Sequence, residues 1–103
     1  MEYNLNLKVG QTLTYQREGH VRPDEVTFKQ RKKTGLCYFS ILSAEGYGAT
    51  LDLKHGETID AFIERQERLW ENAKTEVGMD RLRDILIRAL RQESIRTTQG
   101  MTA

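Results

Sequence analysis

The first half of the chain alternates between apolar and polar positions, and the second half does not. In "YNLNLKV", Tyr3, Leu5, Leu7 and Val9 fall on one side and Glu2, Asn4, Asn6 and Lys8 on the other. This is the period-2 signature of a half-buried strand. After Gly10 the alternation resumes in "TLTYQ", with Leu13 and Tyr15 inward, and the short "VGQT" link predicts a hairpin. Residues 17–25, "REGHVRPDE", read as the longest loop and hold the only proline, Pro23. Val26 and Phe28 mark a third strand, with Thr27, Lys29 and Arg31 on its other face. "KKTG" is a turn in which Gly35 can take a positive φ without steric cost. "LCYFSIL" is a fourth strand, apolar on both faces and therefore expected at the centre of the sheet, covered on both sides: Cys37, Phe39 and Ile41 on one, Leu36, Tyr38 and Leu42 on the other. A fifth strand runs to Leu53, with Tyr47, Ala49, Leu51 and Leu53 inward.

Near Thr58 the period changes to 3.6. Thr58 is placed to cap a helix over 57–77, with Asp60 in its first turn and an apolar stripe of Ile59, Phe62, Ile63, Leu69, Trp70, Ala73 and Val77. Gly78 interrupts it, and a second helix follows over 79–95. Its apolar arc of Met79, Leu82, Leu86, Ala89 and Leu90 is widened by Ile85 and Ile87. Residues 97–103 read as a flexible tail. The expected architecture is one α+β domain over 1–96: a five-stranded antiparallel meander over 1–55 followed by two C-terminal helices, the first of them on the sheet. The wide arc of the second helix predicts contact with a partner.

Composition narrows the function classes. The chain has 103 residues, enough for one core, with 38% hydrophobic and 30% charged residues and a formal net charge of +1. That balance does not carry the basic signature of a dedicated nucleic-acid binder, so any electrostatic grip has to come from local clustering. The single cysteine, Cys37, cannot form an internal disulfide, and His20 and His55 are too far apart for a metal-ligand pattern. No apolar stretch resembles a signal peptide or a membrane span, so a cytoplasmic location is expected. No cofactor motif is present and no cofactor is expected.

One local cluster does stand out. Lys29, Arg31, Lys32 and Lys33 surround the turn after the third strand, and Tyr38 shares their outer face. Cations beside an aromatic ring on an open sheet suit single-stranded nucleic acid, the cations meeting phosphates and the ring stacking on bases. The competing reading is that these lysines and Arg31 only protect a sheet edge and turn from aggregation. Leu36, Leu42, Ile87, Arg88 and Arg91 form the expected surface for a protein partner or a second copy. An exposed face held by pairs such as Asp84–Arg88 is the alternative for the helix arginines. Glu64 and Glu67 are interleaved with Arg65 and Arg68, which argues for a solvated face rather than acid–base chemistry. His20, in the loop with Arg17 and Arg22, and Cys37 are the two candidates for catalysis; His20 lacks an evident partner and Cys37 sits in an apolar run, so no catalytic residue is assigned.

The step "YGATLDLKHGETIDAFIERQ", from last strand to helix, resembles the single-stranded nucleic-acid-binding class that includes the Pur-alpha repeats, the Whirly proteins and the transcriptional coactivator sharing their strand-strand-strand-strand-helix unit. The likeness covers residues 25–73 and is topological. It implies binding through the sheet and dimerisation through helix and strand ends. The opening "MEYNLNLKVGQTLTYQREG" is similar in character to small accessory proteins of temperate bacteriophages, which implies action by occupying the surface of a host or phage protein. The leading expectation is a non-catalytic, homodimeric binding protein; the second is a single-stranded nucleic-acid-binding module; the third is an enzyme.

Overall fold

The apolar positions picked out by the period-2 pattern come together on one face of a sheet. The computed structural model describes residue 5 and residues 7–72 and 77–101. Four antiparallel strands, β1 (Thr12–Tyr15), β2 (Asp24–Gln30), β3 (Cys37–Leu42) and β4 (Gly48–Asp52), lie in sequence order. Two helices follow, α1 (Ile59–Asn72) and α2 (Val77–Met101). The class is α+β, as the pattern predicts, with four strands among the described residues rather than five.

The expected first strand lies partly outside the described residues, and its described positions, Leu5 and residues 7–9, are in no strand. A turn closes from Lys8 to Gln11, whose N–H donates to the Lys8 carbonyl at 2.9 Å. A two-residue hairpin there would set Leu7 opposite Thr12, on the sheet face away from the core. Leu5 and Leu7 instead pack against the core cluster. Burial of two leucines outweighs a ladder whose register would expose them.

The core forms where Leu13, Val26, Phe28, Phe39, Ile41, Leu51 and Leu53 meet Phe62 and Ile63 of α1 and Leu82, Ile85, Leu86, Ala89 and Leu90 of α2. Phe39 is its pivot, with its ring centroid 5.1 Å from that of Phe28 and 5.4 Å from that of Phe62. Thr58 caps α1 as expected, its Oγ1 accepting from the Ala61 N–H at 3.1 Å. Gly35 and Gly46 take φ values of 73° and 97° in the two sheet turns, a region closed to most side chains.

Several expectations are corrected. The helix lying along the sheet is α2; α1 packs on α2 and reaches the core through Phe62 and Ile63. Among the described residues no element covers the second face of β3. Tyr47, expected inward, is 65% exposed, because β4 begins only at Gly48 and Tyr47 stays in the turn. Leu69 is 42% exposed. On α1 a buried Gln66 faces α2 and accepts from Arg83 Nε at 3.1 Å. The side chains of Trp70, Ala73 and Val77 lie outside the described residues. The expected tail from 97 is helical as far as Met101, since no proline interrupts α2 and Arg96 pairs with Glu93 one turn earlier.

Candidate functional site

The sheet has one occupied face and one open face. The ladder registers place four rungs on the open side. Thr14, Glu25, Leu42 and Gly48 form the first, Thr12, Thr27, Ser40 and Thr50 the second, and Lys29, Tyr38 and Asp52 the third. Arg31 and the turn residues Lys32 and Lys33 make up the fourth. None of these residues is buried. The second rung is a row of hydroxyls crossing all four strands, and Thr12 and Thr27 bond directly, Oγ1 to Oγ1 at 2.9 Å.

At the turn end of this face the residues expected to bind nucleic acid do come together. Arg31, Lys32, Lys33 and Tyr38 line a shallow groove of about 500 Å³ with Gln30 and Thr34, and Lys29 stands beside Tyr38 on the neighbouring strand. The cations are not equivalent. The Arg31 guanidinium lies 4.4 Å from the centre of the Tyr38 ring, and its Nη2 is 2.9 Å from Asp52 Oδ1. One face of the ring is therefore already occupied, and the arginine charge is compensated. A base stacking on that face would have to displace Arg31. Lys29, Lys32 and Lys33 are exposed and carry no ion pair.

This division runs through the molecule. Arg17, Arg31, Arg65, Arg88, Arg91 and Arg96 each hold a carboxylate within the chain. Every lysine among the described residues (Lys8, Lys29, Lys32, Lys33 and Lys54) belongs to the end of the sheet where β1 and β3 begin and β2 and β4 finish. Arginine's planar fork suits fixed pairs, whereas lysine is a mobile point charge. A chain of formal charge +1 thus carries a concentrated positive end.

The expected protein-partner surface does not hold together. Leu42 is 45% exposed on the open face. Leu36 is half-buried just before β3, at the opposite end of that strand. Ile87 is buried within the chain. Arg83 and Arg91, one helical turn to either side of it, bond Gln66 and Glu67 of α1, so Ile87 fills the contact between the helices. The wide apolar arc of α2 is needed because the helix packs on the sheet and on α1 together. Arg91 is bound to Glu67 at 3.0 Å, and Arg88 to Asp84 at 3.0 Å. A hydrogen bond to Tyr15 is the largest influence raising the Arg88 pKa.

The catalytic candidates fare differently. Cys37 is half-buried against the core. His20 gains a neighbour the sequence did not show, Glu45, with Nε2 3.9 Å from Oε1. Both belong to a cluster around Arg17. Arg17 Nη2 bonds Glu45 at 2.7 Å and the buried Asp24 Oδ1 at 3.0 Å. Arg17 Nε lies 2.8 Å from Asp24 Oδ2, as an ion pair too bent to count as a hydrogen bond. The Ala44 N–H bonds Asp24 Oδ1 at 2.7 Å, and Gln16 Nε2 donates to the His20 carbonyl. The cluster ties the 16–23 loop to the β3–β4 turn, an architectural task. Arg17 also holds the Glu45 carboxyl down at about 2, with smaller help from its backbone and from Ser43.

Among the described residues no His, Cys, Asp and Glu group could hold a metal ion, and no helix is long and apolar enough to cross a membrane. The fold and site define a small α+β domain with one face of its sheet exposed. Comparison with protein-family models, curated proteins and solved structures gives no match.

Proposed function

We propose that this chain is a non-catalytic, dimeric binding protein that engages a partner protein across the open face of its sheet. The observation that supports the reading is the asymmetry of that sheet. Leu13, Val26, Phe28, Phe39, Ile41 and Leu51 are buried beneath it, while the hydroxyl row, Tyr38 and Leu42 on the other side are covered by none of the described elements. Hydroxyl rows offer donors and acceptors at strand spacing, and Leu42 offers apolar area, a mixture found in transient protein interfaces. Ser40 sits at the middle of the row. Ser40→Arg should weaken capture of the partner by about 2 kcal/mol or more, the cost typical of a central contact. Affinity capture from an extract of the native cells, run side by side with wild-type and variant protein, checks this. Equal recovery of the same proteins by both would refute the open face as the contact surface.

Segregation of the lysines favours a second reading, binding of single-stranded nucleic acid at the positive end. Each phosphate neutralised on a single strand contributes about −0.7 to the slope of log affinity against log salt. Lys29→Gln, Lys32→Gln and Lys33→Gln together should therefore flatten the slope by about 2 and weaken binding of an oligothymidylate, read by fluorescence anisotropy over a salt series. Binding that ignores salt, or that survives the triple substitution unchanged, would eliminate this reading.

A further inference from the structure

Among the described residues the outer edge of β1 is a second unfilled surface, and it has a defined shape. Among the described residues β1 pairs only with β2. The Phe28 N–H donates to the Gln11 carbonyl at 3.0 Å. Counting on from that bond, Leu13 opposite Val26 and Tyr15 opposite Asp24 are the hydrogen-bonded pairs of the ladder. The main-chain N–H and C=O groups of Thr12 and Thr14 therefore point outward. Beside them lies a groove of about 350 Å³, with Leu13 and Ala89 at its base and Gln92, Glu93 and Arg96 on the α2 wall. Ile95, three residues beyond Gln92 on the same flank of α2, is 60% exposed. Edge strands are ordinarily guarded by lysine, proline or an inward charge, and "TLTY" contains none of these. Threonine and tyrosine also favour extended pairing.

We propose that a second copy of this chain occupies the groove, β1 pairing antiparallel with β1 about a two-fold axis through Leu13. The edge is complementary to itself under that operation. Thr12 of each copy faces Thr14 of the other, and each pair exchanges both of its outward main-chain bonds. The helix wall carries both charge signs, Glu93 and Arg96, bonded to each other at 2.7 Å in the isolated chain. Across a two-fold axis these charges meet their opposites, whereas a peptide ligand of either sign would find no net attraction. An axis normal to the sheet leaves both α2 helices on the same side, where Ile95 of each is covered. The two open faces then join into one continuous face of doubled width. That consequence rests on the reading of the open face as the binding surface; the pairing itself does not.

Thr14→Pro tests the pairing selectively. The Thr14 N–H points outward, so proline removes a donor from the edge and none from the internal ladder. Sedimentation analysis should give wild-type protein near twice the 12.0 kDa chain mass and Thr14→Pro at the single-chain mass. The dissociation constant should rise at least about tenfold. Thr12→Lys, an edge guard that leaves the ladder intact, should act in the same direction and covers the case in which the proline variant fails to fold. Amide exchange at Thr12 and Thr14 should slow as wild-type concentration rises. Wild-type protein that stays monomeric at millimolar concentration, or a dimer indifferent to both substitutions, would overturn the proposal. Because partner capture through Ser40 is measured separately, loss of the pairing and loss of the open-face reading are told apart.

Discussion

Phe39→Ala should lower stability by about 3–5 kcal/mol, the usual cost of removing a large aromatic from a packed core. The side chain is completely buried and stands between the rings of Phe28 and Phe62, so the substitution opens a cavity and breaks two ring contacts. It also severs the link between β3 and α1, whose hold on the sheet depends on Phe62 and Ile63. A domain of this size has about 5–15 kcal/mol of stability in total, so most of a low-end reserve would go. Urea unfolding monitored by circular dichroism gives the value directly. Phe39→Leu, which retains much of the volume, should lose about half as much or less. A loss below about 1 kcal/mol for the alanine variant would mean that this ring is not at the centre of the core.

Arg17→Met is the second large effect, and it arises from charge rather than volume. The Asp24 side chain is fully buried, and Arg17 is the cation against it. Removing one member of a buried pair leaves an uncompensated charge, a defect that costs about 3–5 kcal/mol when nothing else compensates it. Here the Ala44 N–H still bonds Asp24 and Arg17 is partly exposed, so about 2–3 kcal/mol is expected. Asp24→Asn added to Arg17→Met should recover part of it, because the neutral amide keeps an acceptor for Ala44 without the charge. Additive losses in the double variant would show that the two residues are not coupled.

The same substitution should change the acid limb of the stability curve. Glu45 has its folded pKa lowered from 4.5 to about 2, chiefly by its hydrogen bond from Arg17. A carboxylate with a depressed folded pKa contributes stability that is fully present above its unfolded value and is lost as pH falls toward the folded one. Wild-type protein should therefore weaken from about pH 4.5 down toward 2, and Arg17→Met should weaken less steeply over that range. Glu57, lowered mainly by Arg65, provides an acid limb that persists in both proteins.

The alternation of residue types was enough to assign Leu13, Val26, Phe28, Phe39, Ile41, Leu51 and Leu53 to one face of a sheet. It also assigned Thr58 to a helix cap and Gly35 to a turn with positive φ. These features depend on neighbours within a few positions, where side-chain direction follows from backbone period alone. The hydroxyl row could also have been read there, since Thr12, Thr27, Ser40 and Thr50 all occupy outward positions, although their alignment needed the registers. What the pattern could not carry was which surfaces meet. Arg17 reaches Glu45 across 28 positions, Arg91 reaches Glu67 across 24, and Arg31 reaches Asp52 across 21. No local period records such pairings, so the arginines looked as available as the lysines until the chain was folded. Ile87 looked like spare apolar surface for the same reason. One helix stripe cannot announce that it will be shared between a sheet and a second helix, and tertiary packing turned Ile87 into interior while leaving Leu42 and the lysines exposed.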